Sequence, residues 1–215
     1  MIIFIPIKHN SQRVPNKNFR SFGGVELYKH TLYKFNQYRI FVDTDSENVL
    51  NEIKKDEKLA HVIPLKRKKH LVGHKVSVCS LIRDFVQDYE VEDVIAQIHV
   101  TSPFLRPETL SAAAQKIHEY DSVVSCNVLQ TRIWRKEKYG YCPVNHNPLK
   151  LEQTQDLPKF YEENSTFYIF KPETIINGSR IGKNPYFYEI THPENLDIDT
   201  EEDFKVCINT FSKQK

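Results

Sequence analysis

An unbroken apolar run near the start, Ile2-Ile-Phe-Ile-Pro-Ile7, limits most strongly what this chain can fold into. It has no polar face, so it suits a central strand covered on both sides, not a strand with one side in water. Short apolar runs then alternate with longer amphipathic stretches. The pattern predicts further strands at 39–42, 61–65, 93–100 and 122–128, and helices at 26–35, 46–53, 76–86 and 108–118. That rhythm predicts an α/β, Rossmann-like fold: a doubly wound, mainly parallel sheet. Late strands are expected at 161–170 and 186–190. A last helix is expected at 200–211, with Thr200 as N-cap and Asp203 in the capping-box position.

Composition narrows the class. The 215 residues, 40% of them hydrophobic, suit a single domain spanning 1–215. The polar, proline-bearing stretch 131–159 has no clean period and reads as an excursion, a small β-arm that reaches a partner subunit. A net charge of only +2 gives no basic face for nucleic acid, so any phosphate chemistry must be local. The four cysteines are widely spaced, which predicts reduced thiols and neither disulfides nor a zinc site. The opening run is too short for a membrane span and lacks the flanks of a signal peptide. A cytoplasmic location with no membrane contact is the expectation.

In doubly wound sheets, ligands bind at the carboxyl ends of the strands. The segment after the first strand, 8–18, is rich in cations and small polar residues. Lys8, Arg13 and Lys17 can neutralise a polyphosphate. The spacings of a P-loop and of a dinucleotide fingerprint are both absent. On composition alone, a solvated basic loop reads equally well. Asp43-Thr-Asp-Ser46 and Thr101-Ser-Pro-Phe-Leu-Arg106 follow two later strands. Pro107 is a common helix starter, which accounts for part of the second segment.

The string Ile5-Pro-Ile-Lys-His-Asn-Ser-Gln-Arg-Val-Pro-Asn-Lys-Asn18 resembles the opening signature of the acylneuraminate cytidylyltransferases, roughly I-P-A-R-x-G-S-K-x-[IL]-P-x-K-N. Lys8, Asn10 and Gln12 stand where that family usually has Arg, Gly and Lys. Val42-Asp-Thr-Asp45 is similar to the family's S-T-D. Thr101, Ser102, Pro103 and Arg106 are similar to T-S-P-x-R, with His99 in place of a usual Gln. Gln155, Pro158, Tyr161 and Asn164 resemble Q-x-L-P-x-x-Y-x-x-N-G, with Ser165 for the Gly. Asp197-Ile-Asp-Thr-Glu-Glu-Asp203 resembles the closing D-I-D-T-x-x-D.

The resemblance implies a nucleotide-sugar-transferase fold that joins CMP from CTP to an acidic nine-carbon 2-keto sugar such as a sialic acid. It implies contacts to these substrates from Lys8, Asn10, Ser11, Arg13, Asn18, His99, Thr101, Ser102, Arg106, Gln155 and Asn164. Arg67 either holds phosphate or base or belongs to a solvated basic loop. Lys17, Asp197 and Asp199 are the expected catalytic groups. Alternation places Asp197 and Asp199 on one face of a short strand, a hard-oxygen pair suited to Mg²⁺. The family resemblance also implies a homodimer. Two other readings stay open: a binding protein on the same fold, and a transferase for another keto-sugar acid such as 3-deoxy-octulosonate.

Overall fold

The computed structural model describes every residue except 10, 12, 74 and 215. The chain runs β1 (Ile2–Ile7), the ribbon β2 (Ser21–Phe22) and β3 (Val25–Glu26), α1 (Leu27–Lys34), β4 (Ile40–Thr44), α2 (Glu47–Lys55) and β5 (Val62–Lys66). Then come α3 (Val78–Asp88), β6 (Ile95–Ile98), α4 (Pro107–Ala114), β7 (Ser122–Leu129) and the hairpin β8 (Trp134–Glu137) with β9 (Gly140–Pro143). The last elements are β10 (Phe160–Phe170), α5 (Pro172–Ile176), β11 (Pro185–Glu189) and α6 (Glu201–Ser212).

Seven strands form one sheet in the order β11-β7-β10-β6-β1-β4-β5. β1 runs parallel to both β4 and β6, β4 parallel to β5, and β11 parallel to β7. Only β10, between β6 and β7, is antiparallel. β1 shows why its sequence is apolar throughout. Ile3, Ile5 and Ile7 pack with residues of α1, α2 and α4 on one face, while Ile2 and Phe4 pack with α3 and α5 on the other. This is the expected three-layer arrangement. α6 closes a smaller apolar cluster of Phe22, Leu27, Phe104, Ile198, Phe204 and Cys207.

The strand order reverses at β1, with β4 and β5 on one side and β6 on the other. A crevice opens where two parallel strands part company in this way. The antiparallel course of β10 brings its first half to the same end of the sheet. The β10–β7 register shifts between Glu163 and Tyr168, and Ser165 there has φ 60°. Such irregularities re-aim side chains next to functional sites.

Helix starts follow the capping residues seen in the sequence. The Ser46 side chain accepts from Val49 N, Ser77 from Ser80 N, and Thr200 and Asp203 form a reciprocal capping box. Three expectations need adjustment. The helix predicted over 108–118 stops at Ala114 and tightens into a 3-10 turn at Gln115–His118. The β2–β3 ribbon and α5 are too short to show a period, and the sequence reading lacks them. The segment holding Asp197 and Asp199 joins no sheet; it is extended, held by a 2.9 Å hydrogen bond from Ile198 N to Thr101 O. Among the described residues, no helix is long and apolar enough to cross a membrane.

Candidate active site

The loop after β1 turns back on itself at Asn16, which adopts a left-handed conformation (φ 53°). A 3-10 turn at Lys17–Phe19 follows. Asn18 Nδ2 donates to Lys8 O at 3.1 Å, closing the loop. Arg20 then binds both carboxylate oxygens of Glu201 at 2.8 and 2.7 Å, and its guanidinium lies 3.9 Å above the Phe204 ring. The loop is thereby fastened to the start of α6. The residues just before α6 therefore meet it.

At that meeting point Lys17 Nζ donates to Ile198 O and lies 3.8 Å from Asp199 Oδ1. Arg13 Nη2 lies 2.6 Å from the same oxygen. Lys17 is buried, and burial pulls its ammonium below the usual range against the opposing pull of Asp197 and Asp199. A buried ammonium with two carboxylates nearby is poorly solvated, so an incoming phosphate meets it without first displacing a full hydration shell.

Two cavities share this point. One, about 410 Å³, is lined by Lys8, Ser11, Arg13, Lys17 and Asn18 on one side and by the apolar Val76, Val78 and Leu81 on another. The second, about 580 Å³, is polar and contains Asn127, Asn164, Asn195, Glu162, Glu163, Asp197 and Asp199. Arg13, Lys17, His99 and Thr101 line both. These volumes suit small-molecule ligands. The site is thus a two-lobed pocket with a basic neck.

Asp197 sits at the neck with Ser102 Oγ donating to it at 3.3 Å. Burial raises its carboxyl above the usual range, and Asp199 pushes the same way. An anion held this way favours a cation beside it. Among the described residues, no cluster of three His, Cys, Asp or Glu side chains gathers. Mg²⁺ is commonly held by one or two carboxylates, with phosphate oxygens and water completing its shell. Asp197 and Asp199 fit that donor set.

Four expected substrate contacts lie elsewhere. Arg67 is buried in an internal network, paired with Asp43 Oδ1 and donating to Ile7 O and Asp43 O at 3.3 and 3.0 Å. With its side chain 1% exposed, it ties β1, β4 and β5 together and does not face the pocket. Arg106 is exposed and clasped by Glu194, with contacts of 2.7 Å from Nε and 2.6 Å from Nη2. It joins the start of α4 to the turn before Asp197. Ser102 is buried against Asp197 and lines neither lobe. Gln155 is exposed on the 3-10 turn Thr154–Asp156 and does not line either lobe. Asn10 lies outside the described residues.

Other pocket residues were not singled out from the sequence. Asn127 Oδ1 accepts from Asn164 Nδ2 and from Asn195 Nδ2, both at 3.1 Å, so three asparagines from distant segments interlock. Glu162 and Glu163 enter the polar lobe because β10 is antiparallel and bulged there. A single sequence offers no signal for these, since their partners come from sheet pairing. Val76 and Val78, just before and at the start of α3, form the apolar wall with Leu81.

The cytidylyltransferase family model matches residues 2–215. The chain belongs to the cytidylyltransferase family. It is 31% identical over 207 residues to an N-acylneuraminate cytidylyltransferase A of Danio rerio, covering 92% of this chain and 47% of the relative. It is 27% identical to an N-acylneuraminate cytidylyltransferase of Streptococcus agalactiae, covering 94% of this chain and 51% of the relative. The chain thus spans about half the length of these relatives. A CMP-N,N'-diacetyllegionaminic acid synthase of Legionella pneumophila is 28% identical and covered over 93% of its length. Among solved structures, a CMP:2-keto-3-deoxy-manno-octonic acid synthetase complexed with CTP superposes with a TM-score of 0.70. It shares 12% identity and is covered over 99% of its chain, with 100% of this one covered. At that identity the likeness speaks for the cytidylyltransferase fold of this family member.

Proposed function

We propose that the chain transfers CMP from CTP to a nine-carbon 2-keto sugar acid of the N-acylneuraminate type and releases pyrophosphate. The observation that carries this reading is the meeting of Lys17 with Asp197 and Asp199 at the neck of a two-lobed pocket. One lobe is basic with an apolar wall, suited to a triphosphate and a flat base. The other, lined by three amides and four carboxylates, suits a polyhydroxylated ligand. The names of the relatives, acylneuraminate and legionaminic acid transferases, support the same substrate class.

In this reading Lys8, Ser11, Arg13 and Lys17 hold the triphosphate, and Val76, Val78 and Leu81 flank the cytosine. Asn127, Asn164 and Asn195 orient the sugar hydroxyls, with His99 and Thr101 between the two substrates. The anomeric hydroxyl attacks the α-phosphorus, its proton passes to solvent, and the bond to the pyrophosphate oxygen breaks. Lys17 and Arg13 stabilise charge as it gathers on the leaving group, and they stand in place beforehand. Mg²⁺ held by Asp197 and Asp199 would supply charge neutralisation and polarise the phosphoryl oxygen. The shared neck brings the two substrates together, and such alignment can supply several kcal/mol of the barrier reduction.

Two further parts of the proposal concern setting. The hairpin region exposes Trp134, Tyr139, Tyr141, Leu149 and Leu151, the last four at 66–95%. Apolar side chains gathered in that way support a homodimer through this arm. The four free cysteines and the need for CTP suit the cytoplasm.

The test is pyrophosphate release with CTP, Mg²⁺ and a panel of keto-sugar acids including acylneuraminates, legionaminic acid and 3-deoxy-octulosonate. Release with a nine-carbon acid supports the proposal. CTP binding with no turnover of any panel member contradicts it.

A further inference from the structure

Behind His99 and Glu163, which line the polar lobe, stands a chain of groups that phosphate transfer does not use. Gln97, at the end of β6, is fully buried and lies two residues before His99. Its amide has two neighbours. Arg180, from the loop between α5 and β11, donates from Nη1 to Gln97 Oε1. Gln97 Nε2 lies 2.7 Å from His99 Nε2. Arg180 is itself fixed. Its guanidinium carbon lies 3.5 Å above the centre of the Tyr168 ring, and Tyr168 Oη donates to Glu163 at 2.9 Å.

Side-chain chemistry sets the polarity of this chain. A guanidinium has donors only, so the amide end that faces Arg180 is the carbonyl oxygen. The end facing His99 is then the NH₂ group, which only donates. His99 Nε2 must accept, so it carries no hydrogen, and the neutral ring keeps its hydrogen on Nδ1. Burial, with Arg180 and Lys17 adding to it, opposes the imidazolium and brings the His99 pKa down to about 4. Among the described residues no group accepts from Nδ1, and the ring lines both lobes.

We propose that Arg180 and Gln97 are positioning residues that lock His99 as a hydrogen-bond donor, so that it selects a ligand group bearing an oxygen acceptor. A glutamine in this place offers both a donor and an acceptor. The locked histidine offers a donor alone and disfavours a ligand hydroxyl that must donate. The identity of the ligand, a keto-sugar acid with its carboxylate and carbonyl oxygens, rests on the transferase reading; the tautomer does not.

Long-range ¹H–¹⁵N correlation spectra of the full chain at pH 7 test the lock, with His99 assigned from the His99→Gln variant. The expected spectrum is a neutral ring with hydrogen on Nδ1. Gln97→Glu puts an acceptor at both ends of the side chain, so the hydrogen moves to Nε2 or the ring becomes doubly protonated. In that variant KM for the sugar acid rises roughly tenfold while KM for CTP stays within about twofold. Hydrogen on Nε2 in the wild type, or an Nδ1–H ring that persists in Gln97→Glu, overturns the proposal. So does an unchanged sugar KM in a variant whose tautomer has switched. Should Gln97→Glu not fold, Arg180→Met serves: a mixture of tautomers is expected, and a pure Nδ1–H ring overturns the lock. The spectra need no turnover, so failure of the transferase reading and failure of the lock are separate results.

Discussion

Arg13 Nη2 stands 2.6 Å from Asp199 Oδ1, joining the first loop to the segment before the last helix. Their side chains are 67% and 42% exposed, and ion pairs in such settings contribute only about 0–1 kcal/mol. The pair is therefore easily exchanged. A triphosphate can take the arginine and a divalent cation the aspartate at little cost. Arg13→Ala is expected to leave stability within about 0.5 kcal/mol. It should also raise KM for CTP at least about tenfold, since a charge-assisted contact is lost. Thermal melts and CTP titrations check both halves.

Lys17 is different because it is buried at the neck. Lys17→Ala is expected to lower turnover at least about a hundredfold, the scale of losing one preorganised charge-stabilising donor. Burial disfavours its ammonium in the free protein. Stability should therefore not fall in step with activity. Near-normal turnover in this variant contradicts the phosphate role.

The acidic pair has its own signature. Asp199→Asn is expected to abolish Mg²⁺-dependent turnover. Asp197→Asn removes a carboxylate that burial and Asp199 both disfavour. It should therefore raise the melting temperature of the metal-free protein by a few degrees, as about 1 kcal/mol does for a chain of this length. Added Mg²⁺ should stabilise the wild type and not this variant. A metal titration identical to wild type in either variant contradicts the assignment.

His30 gives a pH dependence away from the pocket. It packs edge-on to Phe22 and Phe211, with Nε2 donating to Pro103 O at 3.3 Å. Burial, aided by Lys34, brings its pKa from 6.5 down to about 4. A folded pKa below the unfolded one means the unfolded chain takes up the proton first. The contribution is therefore complete above pH 6.5 and is lost as pH falls towards 4, at up to about 1.4 kcal/mol per pH unit. Denaturation of His30→Gln between pH 6.5 and 5 should show a shallower slope, and an unchanged slope contradicts this.

Ser165 has φ 60° at the bulge in β10, in the position where the resembling motif has glycine. A left-handed non-glycine residue costs roughly 1–2 kcal/mol, partly offset by the greater freedom of glycine in the unfolded chain. Ser165 Oγ also lies 3.3 Å from Tyr168 Oη, a contact that glycine gives up. Ser165→Gly should be stabilising by up to about 0.5 kcal/mol and Ser165→Val destabilising by more than about 1 kcal/mol. Chemical denaturation orders the three; Val above Ser contradicts the strain.

Much of the frame was legible because it rests on local periodicity. The apolar run of β1, the caps at Ser46 and Thr200, and the doubly wound rhythm each follow from neighbouring residues. The convergence of Lys17 and Asp199 was legible only through the rule that ligands sit at strand ends, together with family resemblance. Arg67 and Arg106 show the limit. Arg106 lies in an expected motif and Arg67 in a basic stretch, yet Glu194 and Asp43 claim them, and no spacing in the sequence reveals those partners. Gln97 and Asn127 were invisible for the same reason: their roles come from Arg180 and Asn195, brought near by β10 and β11.

The most direct measurement is a crystal structure of the full chain with CTP and Mg²⁺. The proposed transfer predicts the triphosphate between Lys8, Arg13 and Lys17, the cytosine against Val76 and Leu81, and a cation held by Asp197 and Asp199. CTP bound away from Lys17, or phosphates facing away from the two aspartates, contradicts it.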